Sequence, residues 1–163
     1  MNHLIAADFG IRQLHAQFCD AVWRKDGSAF AACFAPDGEW KIAGLHIRGA
    51  EIGPQFDRLL GICARVRLIL GLPLLDVTAD GATGRIPVTE LAKMADGSAA
   101  MTLGTYYDRY VEQGGHWLFA ARHWTLHYRG PVDLSAALVD FPDYGPPPGM
   151  PATDAPTAVR KAG

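Results

Sequence analysis

The chain has 163 residues, of which 49% are hydrophobic and 20% charged, and 15 basic against 17 acidic residues leave a formal net charge of -2. This length fits one domain with a sizeable core, and the composition is that of a globular rather than a disordered or membrane protein. The charge offers no basic stripe for nucleic acid, no apolar run is long enough to cross a membrane, and the first residues lack a signal-peptide pattern. We therefore expect a cytoplasmic protein with no nucleic-acid or membrane partner.

Three helices are predicted in the first half of the chain. The first is capped by Asp8 and carries apolar residues at helical spacing, namely Ile11, Leu14, Phe18, Ala21 and Val22. A short second helix covers "AFAACFA" and ends at Pro36-Asp37-Gly38. After "EWKIAGLHIRG", which has the pattern of a strand with a turn, a third helix is predicted over residues 51–65, with Pro54 in its first turn.

From Arg65 onward the apolar period changes from helical to strand-like. The segments "RVRLILGLPLLDVTA", "RIPVTELAKMA", "SAAMTLGTYYDRYVEQ" and "HWLFAARHWTLHYRG" are separated by turn signals such as Asp96-Gly97 and Gly114-Gly115. They predict an antiparallel meander. The expected fold class is α+β, a cone of three N-terminal helices packed on a strongly curved, mostly antiparallel sheet. Residues 1–135 would form this domain, and residues 136–163, rich in proline and glycine, an extended arm and tail.

The last strand carries two histidines, His123 and His127, which invite comparison with a metal site. Alternation places them on one face, about 13 Å apart on a strand, which is too far for both to bind one ion. The three cysteines are widely spaced, which excludes a disulfide framework or a zinc ribbon. We predict neither a metal nor a cofactor. Strict alternation puts Phe119 and Thr125 on the face of the histidines.

The opposite face of the last strand is apolar except for Arg122, which must find an anion if it is buried. Glu90 is the only charge on one face of "RIPVTELAKMA". Two interpretations stay open with about equal weight. Glu90 is a general base with its pKa tuned by burial and by Arg122, or the two residues form a structural salt bridge without chemistry. Tyr106 likewise either packs in the core or donates a hydrogen bond to a substrate.

Two stretches carry a family resemblance, "FCDAVWRKDGSAFAACFAPDGEW" and "GTYYDRYVEQGGHWLFAARH". The chain resembles the SnoaL-like branch of the nuclear transport factor 2-like superfamily over roughly residues 8–148. Scytalone dehydratase, steroid delta-isomerase and hexachlorocyclohexane dehydrochlorinase belong to this group. The resemblance implies an apolar pocket between helices and sheet, and cofactor-free chemistry within it.

The resemblance also indicates which catalytic groups this chain lacks. The aspartate of the dehydrochlorinase dyad falls on Trp23, and its histidine falls near Arg67. The arginine of the last strand falls on Arg122, whereas Tyr106 and Glu90 fall on positions of the pocket wall. The resemblance therefore implies a retained pocket without the dyad. Candidates for lining that pocket are Trp23, Trp40, Ile42, Trp124 and Leu126.

These observations predict a cofactor-independent lyase, dehydratase or isomerase that acts by proton transfer on a small apolar, aromatic molecule. Glu90 would be the base, Arg122 would stabilise developing negative charge, and Tyr106 would donate or position a proton. His46 and Arg67 are further catalytic candidates. The alternative is a non-catalytic domain that binds a small molecule or a partner.

The chain is also predicted to form a homo-oligomer, either a dimer or a trimer. The contact would use the outer face of the sheet, where alternation places Phe119 and His123, together with the arm. Phe141, Tyr144 and the prolines of the arm are costly to leave exposed and are held extended by proline.

Overall fold

The computed structural model describes residues 2–133 and Pro148, so the arm predicted over residues 136–163 lies outside the described residues apart from Pro148. The helices and strands follow one another in this order: α1 (Asn2–Arg24), α2 (Gly27–Ala31), β1 (Phe34–Ile42), β2 (Leu45–Arg48), a 3-10 turn (Gly49–Glu51), α3 (Ile52–Leu60), β3 (Cys63–Leu70), β4 (Leu74–Thr78), β5 (Gly81–Met94), β6 (Ala99–Gln113) and β7 (His116–Gly130).

The three predicted helices exist, with different ends. Asp8 does not cap α1, which begins at Asn2; its carboxylate instead accepts a hydrogen bond from Arg12 one turn later, at 2.8 Å. Asp26 caps α2 by accepting from the Ala29 backbone N–H at 2.8 Å. The third helix ends at Leu60 rather than residue 65, because Gly61 interrupts it and the apolar period of two begins with β3.

The strands form one seven-stranded mixed sheet in the order β2-β1-β7-β6-β5-β3, with β4 also paired to β5. The four predicted segments form an antiparallel meander, with the first of them divided into β3 and β4. The long β5 holds β4 along its first residues and β3 along its later ones, and Gly71 to Pro73 separate these two short strands. The antiparallel β1–β2 hairpin joins the rest of the sheet through β1, which pairs with β7 in parallel. The fold is therefore α+β with a mixed sheet.

One face of the sheet, called the inner face below, packs against the three helices and contains the core. Phe18 of α1 contacts Phe119 of β7, at 5.6 Å between ring centroids, and Phe30 of α2 stacks on Phe56 of α3 at 4.0 Å. Inner-face residues of the sheet include Trp40, Ile86, Val88, Ala92, Tyr106, Tyr110 and Trp124, all buried. The inner face is therefore rich in aromatic rings.

A β-bulge corrects the predicted faces of the last strand. Tyr110 of β6 pairs with Phe119 and Arg109 pairs with Ala121, so Ala120 is an extra residue in β7. The bulge reverses the alternation, which places Phe119 on the inner face together with Arg122, and leaves it 0% exposed. The prediction that Phe119 lies on the outer face with His123 is therefore wrong. The sequence carries no turn residue that would reveal the bulge.

Across residues 2–133, no helix combines the length and the apolarity that a bilayer crossing requires. Cys19, Cys33 and Cys63 are all free thiols.

Candidate active site and a buried polar ring

Glu90 lies on the inner face of β5, between Leu68 of β3 and Thr102 of β6 in the strand register. The Thr102 hydroxyl donates to its carboxylate at 3.5 Å, which is the limit of a hydrogen bond. No cation among the described residues forms an ion pair with Glu90. Burial raises the pKa of the Glu90 carboxyl above its usual range, and Arg129 and Thr102 offset only part of that rise. The side chain is only partly buried, so part of it faces solvent.

Tyr106 lies on the same face of the neighbouring strand, β6. Its ring packs against Trp124 at 4.8 Å between centroids and meets Phe18 edge-on at 5.9 Å. Trp124 can lie across β6 because residue 104 is glycine, where a Cβ would come within 2.4 Å of the indole. Burial raises the pKa of the Tyr106 hydroxyl, and the nearby Arg122 charge lowers it by less. The hydroxyl therefore keeps its proton at neutral pH and can donate a hydrogen bond.

One interpretation of the sequence paired Arg122 with Glu90. The structure does not contain this pair. Arg122 pairs instead with Asp108, from Nε to Oδ1 at 2.8 Å and from Nη2 to Oδ2 at 2.7 Å, and both side chains are 0% exposed. The register explains this choice, because Asp108 is directly opposite Arg122 on β6 whereas Glu90 is on β5, which does not touch β7. Asp108 was missed, although it alternates with Tyr106 and so shares its face. That alternation was the available signal.

Two further side chains close this ion pair into a ring of hydrogen bonds, called the polar ring below. His15 of α1 lies 3.0 Å from Arg122 through Nδ1 and 2.9 Å from the Tyr110 hydroxyl through Nε2, and that hydroxyl donates to Asp108 at 2.9 Å. A guanidinium can only donate, so Nδ1 of His15 must accept and its proton must lie on Nε2. The Nε2–H then donates to Tyr110, which leaves the hydroxyl hydrogen free for Asp108. Each contact has one donor and one acceptor.

The charges of the polar ring compensate one another. Burial lowers the pKa of His15 well below its usual value, and Arg122 lowers it further, so the imidazole is neutral. Burial, and then Asp108, raise the pKa of Tyr110, which is neutral too. One arginine and one aspartate remain, with a net charge of zero. Such an arrangement stabilises two buried charges without needing a ligand.

Arg122 is also shielded from any substrate. The rings of Phe119, Tyr106 and Phe18 lie 3.9, 4.0 and 4.3 Å from its guanidinium carbon. Its Nη1 is buried and has no hydrogen-bond partner in the described part of the chain. The structure therefore favours the salt-bridge interpretation for Arg122, with Asp108 as the acid, and Glu90 stands apart from that pair.

The remaining predicted site residues lie in three different parts of the structure. His46 is exposed on β2 and bonds Glu39 at 2.8 Å, away from the inner face. Trp23 and Arg67 meet at the edge of the sheet, with the guanidinium carbon 5.7 Å from the centre of the indole ring. The others contribute to the core: Trp40 and Trp124 are buried, and Ile42 and Leu126 are partly buried against them.

Two cavities border α1. One, of about 220 Å³, lies between the helix and the β3–β4 connection and has His15, Cys19 and Ile86 in its wall. The other is a groove of about 770 Å³ between the first half of α1 and the β6–β7 hairpin. Neither includes Glu90 or Tyr106. Within residues 2–133, no cluster of three or more histidine, cysteine or acidic side chains has the arrangement of a metal site.

The sequence-family model for SnoaL-like domains matches residues 5–123 of this chain. The chain belongs to this family. A protein of unknown function from Mycobacterium tuberculosis is 30% identical, with 79% of this chain and 76% of that one covered and a TM-score of 0.68. The hexachlorocyclohexane dehydrochlorinase LinA is 22% identical, with coverages of 85% and 99% and a TM-score of 0.73. A protein provisionally assigned as a scytalone dehydratase from Novosphingobium aromaticivorans is 17% identical, with coverages of 87% and 93% and a TM-score of 0.69.

Comparison with curated proteins gives no match. The likenesses to LinA and to the dehydratase show a shared fold and leave the reaction of this chain open. Trp23 and Arg67, the residues on which the resemblance placed the dyad, lie close together in the structure, and neither an indole nor a guanidinium accepts a proton at neutral pH.

Proposed function

We propose that the protein is a cofactor-independent lyase, dehydratase or isomerase that transfers a proton on a small apolar, aromatic substrate, with Glu90 as its general base. The substrate would occupy a pocket between the helices and the inner face of the sheet. The family and the shared fold with a dehydrochlorinase and a dehydratase candidate support this class of reaction.

The state of Glu90 carries the proposal. A carboxyl that is shielded from water and lacks an ion-pair partner binds a proton more tightly than an ordinary glutamate, which makes it a stronger base. Asp108, the other inner-face acid of this region, is fully bonded and sealed. Of these two carboxylates, Glu90 is thus the one that has lone pairs free to accept a proton and that is partly exposed.

Tyr106 supplies the donor for negative charge, in place of the sealed Arg122. In an elimination, Glu90 would take a proton from a carbon, the bonding pair would form a double bond, and the leaving group would depart with its own pair. In an isomerisation, the same deprotonation would give an enolate, and the proton would return at another carbon. The Tyr106 hydroxyl can donate to the oxygen that gains charge, while Arg122 positions the phenol ring from behind.

The test is turnover by Glu90→Gln with a panel of aromatic alcohols and steroids, followed by product analysis. We expect a loss of about 100-fold or more, the usual contribution of a positioned base, and a smaller loss for Glu90→Asp. Glu51→Gln, which changes an exposed glutamate, is the matched control and should retain wild-type turnover. Unchanged turnover in Glu90→Gln would remove Glu90 from this role.

A second candidate function is ligand binding without catalysis. The stacking of Trp23 and Arg67 at the positions of the dyad favours it, because a stacked indole and guanidinium bind but do not abstract protons. Thermal shifts with tight-binding members of the panel, without any new product, would support this alternative.

Self-association remains a prediction, with its surface revised. Phe119 no longer contributes, but three apolar side chains on the outer face are exposed: Ile69 at 51%, Leu74 at 60% and Leu91 at 37%. We propose that they form part of a dimer or trimer contact. Light scattering should give a mass of two or three chains, and a monomer at micromolar concentration would refute it.

A further inference from the structure

Two arginines of the edge strand β3, Arg65 and Arg67, share one indole. Their guanidinium carbons lie 5.9 and 5.7 Å from the ring of Trp23, which is 43% exposed at the end of α1. The two residues are two positions apart on a strand, so their side chains leave the backbone on the same side. Trp23 therefore holds two cations close together at the edge of the sheet.

Neither arginine has an acidic partner in the described part of the chain. Arg65 donates only to the Ala64 carbonyl, at 3.3 Å. The carboxylates at this end of α1 are already used, because Arg24 binds both Asp20 and Asp26. Two like charges side by side repel each other, and an anion placed between them relieves that repulsion. The pair therefore presents unused N–H donors and uncompensated positive charge.

The positive charge extends toward the interior. Lys25 donates to the carbonyl of Cys63, the first residue of β3, at 2.7 Å, which adds a third cation at this end. The Arg67 charge also opposes the rise that burial causes in the pKa of Cys19, on a more interior part of α1. The cation group thus lies beside α1, the helix that covers the inner face.

We propose that Trp23, Arg65 and Arg67 form a binding site for the carboxylate of a small aromatic acid. The planar guanidinium groups match a carboxylate in two-point geometry, and the indole holds them in position while offering its own surface to an aromatic ring. The site lies apart from Glu90, because Arg65 and Arg67 alternate with the buried Val66 and Leu68 of β3, whereas Glu90 lies on the inner face opposite Leu68. The carboxylate site and the general base are therefore independent proposals.

The experiment measures binding of 2-naphthoate by calorimetry, with 2-naphthamide and acetate as the neutral and the non-aromatic probes. We expect 2-naphthoate to bind at least about tenfold more tightly than either, because the site uses both a charge and a ring. Its affinity should also fall as salt rises. Equal affinity for the amide, or no binding of 2-naphthoate at millimolar concentration, would overturn the proposal.

Variants locate the site. The double variant Arg65→Gln with Arg67→Gln should lose about tenfold or more in 2-naphthoate affinity, and Arg67→Lys, which keeps the charge but not the fork of donors, should lose less. Arg48→Gln is the matched control, because Arg48 is an exposed arginine on β2, the opposite edge strand. A double variant that binds like the wild type would contradict the assignment.

Glu90→Gln separates the two proposals. It should bind 2-naphthoate as the wild type does while losing turnover. Carboxylate binding that depends on the two arginines, combined with full turnover in Glu90→Gln, would leave the binding site standing and refute the base. Loss of turnover in Glu90→Gln without any carboxylate binding by the wild type would do the reverse.

Discussion

Asp108 and Glu90 are two shielded carboxylates on neighbouring strands that face the same side of the sheet, and their surroundings differ. Asp108 accepts two hydrogen bonds from Arg122 and one from Tyr110, and it is 0% exposed. Glu90 has a single long hydrogen bond, from Thr102, and is partly accessible. One carboxylate is fully compensated and the other is not.

The difference shows what each acid can do. Moving a carboxylate out of water is costly, and at Asp108 the Arg122 guanidinium and the Tyr110 hydroxyl offset that cost, so the polar ring holds α1, β6 and β7 together. At Glu90 the cost is offset only in part, by Arg129 and Thr102, and the remainder appears as a higher proton affinity. A compensated charge serves structure, whereas a partly exposed carboxyl whose burial is only partly offset is suited to proton transfer.

The largest effect is expected from Asp108→Ala. This change leaves Arg122 buried without an anion, so the free energy of unfolding should fall by about 3–5 kcal/mol, as for other broken buried ion pairs. Urea unfolding measures it. Asp8→Ala, which breaks the exposed pair with Arg12, is the control and should cost no more than about 1 kcal/mol. A loss below 1 kcal/mol in Asp108→Ala would mean that the polar ring does not stabilise the fold.

The sequence predicted that Glu90 is the only charge on one face of β5 and that Arg122 needs an anion if it is buried. Periods of two and the cost of a buried charge are local properties, so they can be recognised without a structure. The identity of the anion could not be recognised, because Asp108 lies opposite Arg122 only after the bulge at Ala120 has shifted the register of β6 and β7. The same limit applies to Phe119, whose face depends on a bulge at Ala120 that only the pairing of β6 with β7 reveals. The stacking of Trp23 with Arg67 was not foreseen either, since it depends on how α1 lies along an edge strand.

An effect of intermediate size on the free energy of unfolding is expected when the pH is lowered. The folded chain keeps His15 neutral, whereas the unfolded chain binds a proton there as the pH falls below about 6.5. Because the unfolded state then binds more protons, the stability contributed by this site is complete above that pH and is lost as the pH falls, by at most about 1.4 kcal/mol per pH unit. The groups that face the imidazole are Arg122, Tyr110 and, at 3.9 Å, Asp108.

His15→Gln isolates this contribution, because an amide can accept from Arg122 and donate to Tyr110 without titrating. The variant should unfold at a urea midpoint that changes less between pH 7 and pH 5 than that of the wild type. His116→Gln, which removes an exposed histidine, is the control and should follow the wild-type profile. Parallel profiles for His15→Gln and the wild type would show that the ring does not exclude the proton.

The smallest effect is expected at Glu90, and its sign is opposite to that at His15. The pKa of this carboxyl is higher in the folded chain than its ordinary value of 4.5, so between the two values the folded state binds more protons than the unfolded state. Stability at this site therefore falls as the pH rises. Glu90→Gln removes the titration and keeps the shape, so it should match the wild type in urea at pH 4 and exceed it at pH 8. Glu51→Gln should show no such divergence, because its side chain is exposed. If Glu90→Gln were instead less stable than the wild type at pH 8, the carboxylate would be compensated in the fold as Asp108 is, and the case for Glu90 as a base would fail together with the comparison.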